Sequence, residues 1–471
     1  MLFNSYEFIF AFLPITFLIY FFLKSRKLET ASKVFLVLSS LFFYAWWNII
    51  YLNIIVASII FNYSVGRVLA GYSVEIYKIS KKAILTIGIL GNALLLMHYK
   101  YLDFFIINLN FVFDSNVELL HLALPLAISF FTFQQIAYLV DSYRGETKEY
   151  DFLNYALFVT FFPQLIAGPI VHHKEMMTQF IKPKNSSINI DNLMAGLFIF
   201  SIGLFKKVAI ADTFAIWATN GFDHSVTLHF VEAWVTSLSY TFQLYFDFSG
   251  YADMAIGAAL IFNIKLPINF NSPYRATSVQ DYWRRWHITF GRFLRDYIYI
   301  PLGGNRKGIS RTYTNLMLTL LFAGLWHGAG WGFIIWGSLH GVALVINHQW
   351  KQFGFKMNIV SAWIITFFYI NFTRVFFRAT DFDDAIKVLK GMFGMNGISL
   401  YYDSFTYRYS LLYIFASFII VLVFQNSNKL VKSLKKYHIF LMTLFFTFAL
   451  LQMVYFTITG DKASEFLYFN F

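Results

Sequence analysis

The chain has no cysteine among its 471 residues. Disulfide bonds, cysteine-based metal sites and a cysteinyl thioester intermediate are therefore excluded, so an acyl group carried by this protein must be bound to oxygen or nitrogen. Charged residues are also scarce, at 13% of the chain, against about 25% in an ordinary soluble protein. So few charges cannot cover a large water-exposed surface, and the sequence predicts a membrane protein.

Hydrophobic residues make up 58% of the sequence and are concentrated in long runs. Since about 20 apolar residues cross a bilayer as a helix, the runs suggest about a dozen crossings, several of them short enough to be re-entrant. The first run follows "MLFNSYE", which has neither Lys nor Arg, and no cleavage site follows it, so we expect a retained helix rather than a signal peptide. We predict an all-α polytopic protein with one transmembrane domain over residues 1–471.

Positive charges predict the orientation of the chain. Lys24, Arg26 and Lys27 follow the first run, and "NKLVKSLKKYH" precedes the last. Cytoplasmic loops carry an excess of Lys and Arg, so both segments should be cytoplasmic and both termini extracytoplasmic. The same rule accounts for most of the formal charge of +12, and we therefore expect no nucleic-acid binding.

One basic segment, residues 281–311, interrupts the apolar runs with "DYWRRWHITFGRFLRDYIYIPLGGNRKGISR". On a single helix Arg285, Arg292 and Arg295 would share one face and aromatic residues another, which predicts an amphipathic helix in the membrane interface. One interpretation is a positive-inside loop with snorkelling arginines. The other is a cytoplasmic site for a polyanion, formed by these three arginines and Arg284, because guanidinium groups bind phosphate through paired hydrogen bonds.

The following stretch, "LMLTLLFAGLWHGAGWGFIIWGSLHG", places His327 in an apolar, glycine-rich setting. Glycines at four-residue spacing allow helices or a ligand to approach the backbone closely. An ionisable side chain at membrane depth is a candidate functional residue, although a lone buried histidine is often structural. His287 and His340 are weaker candidates, and Asp247 in "YFDFSGYADMA" should be ion-paired or face a water-filled cavity.

Five segments together resemble one known family. They are "LPLAISFFTFQQIAYLVDSYRG", "FFPQLIAGPI", "YFDFSGYADMAIG", "YWRRWHITFGRFLRDYIYIPLGGNR" and "LWHGAGWGFIIWGSLHG". In this order they are similar to the bacterial membrane-bound O-acyltransferases, above all to the alginate and peptidoglycan O-acetyltransferases. The resemblance implies a ring of tilted helices with re-entrant and interfacial helices around a central tunnel, and a family core at about residues 122–350.

The same resemblance implies a site and substrates. The family's catalytic histidine corresponds to His327, in "WHG", and its second polar position to His287. The implied donor is cytoplasmic acetyl-coenzyme A bound near the arginines, with no metal, and the implied acceptor is an extracytoplasmic peptidoglycan or alginate-like polysaccharide. The expected location is the bacterial cytoplasmic membrane, among its lipids.

The C-terminal tail, residues 463–471, ends in "FLYFNF", with four aromatic residues in six. By itself such a tail suggests an interfacial anchor. In the systems that the chain resembles, a motif of this kind carries the acyl-accepting hydroxyl, here on Tyr468. A phenol, with a pKa of about 10 against about 8.5 for a thiol, would retain much of the thioester's transfer potential. An extracytoplasmic esterase-like partner of SGNH type is then expected to finish the transfer.

Three other functions are compatible with the sequence. A transporter or flippase for an envelope precursor would also place helices around a polar cavity, but it would transfer no acyl group. A scaffold that recruits a partner enzyme would not need His327. A transferase of the same family could instead acylate a protein or a lipid.

Overall fold

A computed structural model describes residues 1–72, 80–147, 149, 151–166, 168–182, 187–398, 405–433, 437–459 and 466–467. Regular structure in these residues is helical, with no strand among them, and the predicted all-α class is confirmed. An α-helix satisfies its backbone hydrogen bonds internally, as hydrocarbon requires. The chain forms two compact units, the first from Met1–Phe200 with Ala252–Pro267 and the second from Ser201–Tyr251 with the described residues of Ile268–Leu467.

The α-helices of the described residues are numbered here in chain order. The first ten are α1 (Leu13–Ser25), α2 (Glu29–Ala45), α3 (Ile50–Arg67), α4 (Lys81–Leu96), α5 (Leu102–Phe113), α6 (Ile128–Arg144), α7 (Phe152–Thr160), α8 (Phe162–Leu165), α9 (His173–Ile181) and α10 (Ile190–Phe205). They are followed by α11 (Asp212–Thr219), α12 (Phe230–Ile261), α13 (Val279–Trp283), α14 (Ile288–Leu294), α15 (Ile309–His327), α16 (Trp331–Gln352), α17 (Ile359–Arg378), α18 (Phe382–Met392), α19 (Phe405–Val423), α20 (Ser427–Ser433) and α21 (His438–Thr459). Short π-helical segments adjoin several of them, at Phe8–Phe12, Val68–Tyr72, Met97–Tyr101, Lys206–Ala211, Asn220–His224 and Arg295–Tyr299.

Within the described residues, six helical stretches are long and apolar enough to cross a bilayer, or seven if the bent pair Tyr409–Val423 and Ser427–Ser433 forms one span. The six are Phe8–Ser25, Ile50–Gly71, Lys81–Phe113, Ile190–His224, Ile359–Arg378 and Ile439–Thr459. Other apolar runs form shorter, interrupted or less apolar helices. The run that begins at Phe152 divides into α7 and α8, because Pro163 is accommodated in the first turn of a new helix.

Paired polar side chains join helices of the first unit. The amides of Asn62 in α3 and Asn92 in α4 bond to each other, with nitrogen-to-oxygen distances of 3.1 and 2.7 Å. Gln135 in α6 donates to the hydroxyl of Ser58 at 2.9 Å and accepts from that of Tyr155 at 3.1 Å. These buried groups find their partners inside the protein, as groups placed at membrane depth must.

In the second unit, α15 and α16 pack backbone to backbone. A Cβ atom on Gly324 would lie 2.2 Å from the carbonyl oxygen of Phe333, and one on Gly337 would lie 2.4 Å from that of Leu320. Neither distance is possible for a real side chain, so both positions require glycine. The close approach that the glycine spacing predicts is therefore confirmed, and it fixes the end of α15 against the start of α16.

The single amphipathic helix predicted for the basic segment is wrong. Residue His287 has left-handed backbone angles, φ 43° and ψ 55°, and separates α13 from α14. The turn is fixed by residues of a neighbouring loop, since Asn269 accepts from the backbone of Thr289 at 3.2 Å and its carbonyl accepts from Ile288 at 3.0 Å. Tertiary hydrogen bonds thus override a helical periodicity that continues through the break.

Candidate active site

His327 is the last residue of α15 and lies at a break between two helices. The residue is 2% exposed. Gly328 and Gly330 have extended backbone, and α16 begins only at Trp331. Irregular backbone at membrane depth is tolerated where protein or a water-filled cavity covers it. A histidine at such a break can reach a reactant that a continuous helix would exclude.

Aromatic rings surround the imidazole of His327. Its centroid lies 4.8 Å from the Trp326 ring, 5.0 Å from Phe377, 5.1 Å from Trp336 and 5.6 Å from Phe290. These rings exclude bulk water from the faces of the imidazole and fix its orientation. An imidazole held in this way is a candidate for proton transfer to a reactant that comes within hydrogen-bond reach of a ring nitrogen.

His287 lies against the same aromatic cluster. It is 1% exposed, and its ring centroid is 4.7 Å from that of Phe248 and 5.0 Å from that of Phe290. Burial lowers the pKa of His287 to about 3, so the imidazole is neutral at physiological pH. A left-handed conformation at a residue with a side chain costs about 1–2 kcal/mol, and strain of this kind is concentrated at functional sites.

The phenyl ring of Phe290 connects the two histidines. It lies 5.0 Å from the His287 ring and 5.6 Å from the His327 ring, and it stacks on Trp326 with centroids 4.2 Å apart. The structure therefore brings together the two histidines that were selected from the sequence, although α14 and most of α15 lie between them along the chain.

His340, the third candidate, has both ring nitrogens engaged. Its Nδ1 accepts a hydrogen bond from Trp283 Nε1 at 3.2 Å, so its Nε2 carries the proton and lies 3.2 Å from Thr373 Oγ1. The imidazole also packs on Trp336, with centroids 4.6 Å apart. His340 thus contacts both Trp283 and Trp336, and Trp336 in turn packs against His327.

Arg374 is a buried residue of this region that the sequence reasoning missed. It is 3% exposed within the candidate span Ile359–Arg378. Its guanidinium donates to the carbonyl of Thr241 at 3.0 Å, to the hydroxyl of Tyr282 at 2.8 Å and to that of Tyr274. It also lies over the ring of Trp286, 4.6 Å from the centroid. The rule that selected His327, an ionisable residue inside an apolar run, would have found it.

A cavity of about 840 Å³ opens beside the broken basic segment. Arg284, Arg292 and Arg295 line it, together with Lys351 and His348. Pockets for small ligands typically have volumes of about 300–1,000 Å³. Three of the four arginines expected to bind a polyanion thus share one cavity of a suitable size and charge.

Arg285 lies elsewhere. Its Nε is 3.0 Å from both carboxylate oxygens of Asp281, and its guanidinium reaches the carbonyl of Asn271 at 3.4 Å. It is not among the residues that line the cavity. The helix break at His287 turns this arginine away from the face that a continuous helix would have given it.

The cavity and the histidine cluster share a wall. Trp283 lines the cavity, and its ring lies 5.9 Å from that of Trp336, which in turn lies 5.1 Å from His327. Leu320 also lines the cavity and precedes His327 by two turns of α15, about 10 Å along the helix axis. The arginine-rich cavity therefore ends close to the buried imidazole.

Asp247 is ion-paired, one of the two alternatives expected. Its Oδ1 lies 2.8 Å from Lys207 Nζ, which also contacts Asp212 Oδ1 at 2.7 Å. All three side chains are at most 2% exposed. Of the aromatic tail, Phe466 and Leu467 belong to the described residues, whereas Tyr468 lies outside them.

A helical protein with long apolar helices and a buried histidine beside an arginine-lined cavity has the features expected of an integral membrane transferase. Residues 139–380 match the MBOAT, membrane-bound O-acyltransferase family. The chain belongs to this family and is an acyltransferase, as the resemblance predicted.

Relatives span most of the chain. It is 54% identical to a peptidoglycan O-acetyltransferase of Helicobacter pylori over 430 residues, which cover 85% of this chain and 81% of that protein. It is 38% identical to a probable alginate O-acetylase, AlgI, of Azotobacter vinelandii over 409 residues, 85% of this chain and 79% of the other. A teichoic acid D-alanyltransferase of Bacillus subtilis is 27% identical over 278 residues, 55% of this chain and 69% of that protein.

Proposed function

We propose that this protein takes acetyl groups from cytoplasmic acetyl-coenzyme A and passes them across the bacterial cytoplasmic membrane for O-acetylation of a cell-envelope polysaccharide, peptidoglycan or an alginate-like polymer. His327 is the general base, and Tyr468 accepts the acetyl group before an extracytoplasmic SGNH-type partner completes the transfer. The observation that carries the proposal is the buried imidazole of His327, one tryptophan away from the wall of an arginine-lined cavity.

The cavity suits the proposed donor. Coenzyme A is a polyanion with a long flexible arm that ends in the thioester. Arg284, Arg292 and Arg295 would bind its phosphates, and the arm would extend along the wall that contains Trp283 and Leu320. The acetyl group would then be delivered beside His327, while the charged part of the molecule remained among the arginines.

Transfer to the tyrosine needs one proton acceptor. Neutral His327 takes the proton of the Tyr468 hydroxyl, and the phenolate oxygen attacks the thioester carbonyl. The C–O bond forms, the C–S bond breaks, and the thiolate leaves with the proton from the imidazolium. The products are a tyrosyl acetate and free coenzyme A. His287, neutral and strained beside the same phenyl ring, helps to orient the reacting groups.

The purified chain tests the acceptor directly. After incubation with acetyl-coenzyme A, mass spectrometry of the C-terminal peptide should detect one added acetyl group, which Tyr468→Phe abolishes. Tyr437→Phe is the matched control, since Tyr437 is 60% exposed and lies outside the tail. Normal polysaccharide acetylation by the Tyr468→Phe protein would refute the relay, and an added mass from another acyl donor would refute the choice of acetyl.

His327→Gln tests the base. The change keeps a polar side chain of similar size, so the protein should fold while acetyl transfer falls by about 10²–10⁴-fold. Full acetylating activity in a folded His327→Gln protein would contradict the assignment. For the donor site, Arg292→Gln should raise KM for acetyl-coenzyme A, whereas Arg306→Gln, at an exposed arginine outside the cavity, should leave it unchanged.

A further inference from the structure

The last described residues of the C-terminal segment are anchored against α12. Phe466 is 1% exposed, and its ring stacks on Tyr251 with centroids 4.3 Å apart and planes at 24°. The ring also lies 5.7 Å from that of Phe248. Chain ends are usually mobile unless they are tied down. The ring of Phe466 is buried in an aromatic slot formed by Phe248 and Tyr251, and this contact holds the described end of the chain in place.

Asp247 provides the polar part of the anchor. Its Oδ2 accepts a hydrogen bond from the backbone N–H of Leu467 at 3.0 Å, while its Oδ1 faces Lys207 Nζ at 2.8 Å. Lys207 is shared with Asp212, so two buried carboxylates divide one ammonium between them. A buried carboxylate needs donors for both oxygens, and the peptide N–H of the tail provides one of them.

The anchor is close to the histidine cluster. Phe248, which contacts Phe466, also contacts His287 with ring centroids 4.7 Å apart. Leu467 is followed in the sequence by Tyr468. The docked residues 466 and 467 therefore lie one aromatic ring, that of Phe248, from His287.

We propose that Asp247 is a positioning residue that docks the C-terminal segment, by binding the N–H of Leu467 while the aromatic slot of Phe248 and Tyr251 receives Phe466. The docking itself is independent of the acyl-transfer chemistry. Its consequence for catalysis rests on the proposed function, because it matters only if Tyr468 is the acyl acceptor.

Hydrogen–deuterium exchange measures the docking without reference to activity. In the full chain, held in lipid nanodiscs, the Leu467 amide should exchange at least about tenfold more slowly than an unprotected amide, since its hydrogen bond to a buried carboxylate must open first. Phe466→Ala should remove most of this protection, whereas Phe466→Tyr, which keeps the ring, should preserve it. Fast exchange at Leu467 in the unmodified protein would overturn the proposal.

A pair of tail variants tests the positioning role and leaves the buried ion pair untouched. Leu467→Pro deletes the N–H that Asp247 binds, whereas Leu467→Ala keeps it. We expect Leu467→Pro to acetylate polysaccharide about tenfold more slowly than Leu467→Ala, because a hydrogen bond to a charged group has been lost. Thermal midpoints above the assay temperature in both variants show that the compared proteins are folded. Equal rates in the two variants would refute a positioning role for Asp247.

The two proposals fail in distinguishable ways. Tyr468→Phe leaves the docking contacts in place, so protection of Leu467 should persist in that variant. If Leu467 is protected and the Tyr468→Phe protein is fully active, the docking stands and the relay is refuted. If Leu467 exchanges freely and the Tyr468→Phe protein is inactive, the relay stands and the docking is refuted.

Discussion

Two buried cations of the second unit are accommodated in different ways. Lys207 lies in the candidate span Ile190–His224 and is paired with the carboxylates of Asp212 and Asp247. Arg374 lies in the candidate span Ile359–Arg378 and contacts hydroxyl groups, a carbonyl and aromatic faces. Among the described residues, its contacts include no carboxylate.

The difference follows from the chemistry of the two side chains. An ammonium is a compact, strongly hydrated point charge, and in a buried site it needs opposite charge to replace water. A guanidinium is planar and more weakly hydrated, so hydroxyl dipoles and aromatic faces can satisfy it. Because the partners of Arg374 are neutral, its positive charge is not cancelled locally. It therefore contributes to the potential of the region that contains the candidate histidines.

The largest expected effect comes from removing the paired cation. Lys207→Met leaves two buried carboxylates without their ammonium and should destabilise the protein by about 3–5 kcal/mol, measured as a lower thermal midpoint in detergent. Adding Asp247→Asn to this variant should recover part of the loss, because one of the two charges is then neutral. A Lys207→Met protein with an unchanged midpoint would show that the ion pairs do not matter to stability.

Removing the other cation should cost less. Arg374→Met removes the donor to the Tyr282 hydroxyl, whereas the Tyr274 hydroxyl still donates to the carbonyl of Thr241 at 2.6 Å. The expected destabilisation is about 2–3 kcal/mol. Arg374→Lys keeps the charge but cannot reach Tyr274 and Tyr282 together, so it should recover only part of the stability. If Arg374→Met lowers the thermal midpoint more than Lys207→Met does, the larger contribution expected from the carboxylate-paired cation is wrong.

His287 sharpens the comparison because burial keeps this third basic group neutral, whereas the same side chain gains a proton below about pH 6.5 in the unfolded chain. Its pKa is lowered from 6.5 to about 3 in the folded protein, so the unfolded chain binds the proton first and stability falls as the pH drops below 6.5. The loss due to this residue should reach about 2 kcal/mol at pH 5. The thermal midpoint of His287→Gln should decline less steeply between pH 7 and 5 than that of the unmodified protein. Identical slopes in the two proteins would contradict the lowered pKa of His287.

The smallest expected effect on stability comes from Trp283, which follows Tyr282, a hydrogen-bond partner of Arg374. Trp283→Phe removes the N–H that donates a hydrogen bond to His340 Nδ1, but it keeps an aromatic ring on the cavity wall. Loss of one neutral hydrogen bond should cost about 1 kcal/mol. Trp363→Phe, which removes an N–H bonded to the carbonyl of Tyr274 at 2.8 Å, is the matched control for stability. The Trp283 change alone should also raise KM for the acyl donor.

Sequence patterns were sufficient to predict the class of protein, one close helix packing and the family. The scarcity of charge predicted the membrane class, the glycine spacing predicted the close packing of α15 and α16, and the ordered motifs predicted the family. The cost of leaving a carboxylate in hydrocarbon predicted an ion pair or a water-filled cavity at Asp247, and the structure shows the ion pair. In each of these cases the evidence is the type, spacing or order of residues along the chain, so no knowledge of the fold was needed.

Contacts between distant segments explain what was missed. Arg285 belongs to the right segment but lies away from the cavity, because it lies between α13 and α14, at a break where Asn269 accepts hydrogen bonds from the backbone of Ile288 and Thr289. Arg374 lies inside an apolar run, where its charge alone marks it as a candidate, but its partners Tyr274 and Tyr282 come about a hundred residues earlier in the chain, beyond the reach of any periodicity. The catalytic role of His327 and the acyl-accepting role of Tyr468 stay predictions.

The sequence by itself determined that this chain is a polytopic helical acyltransferase, because hydrophobicity, glycine spacing and motif order are properties of residues and their neighbours. Only the tertiary structure decided which polar groups meet. It joins His287 to His327 through Phe290, places Arg284, Arg292 and Arg295 around one cavity but not Arg285, and fixes Leu467 on Asp247. Such encounters depend on where the chain bends, and the hydrogen bonds that bend it come from residues far away in the sequence.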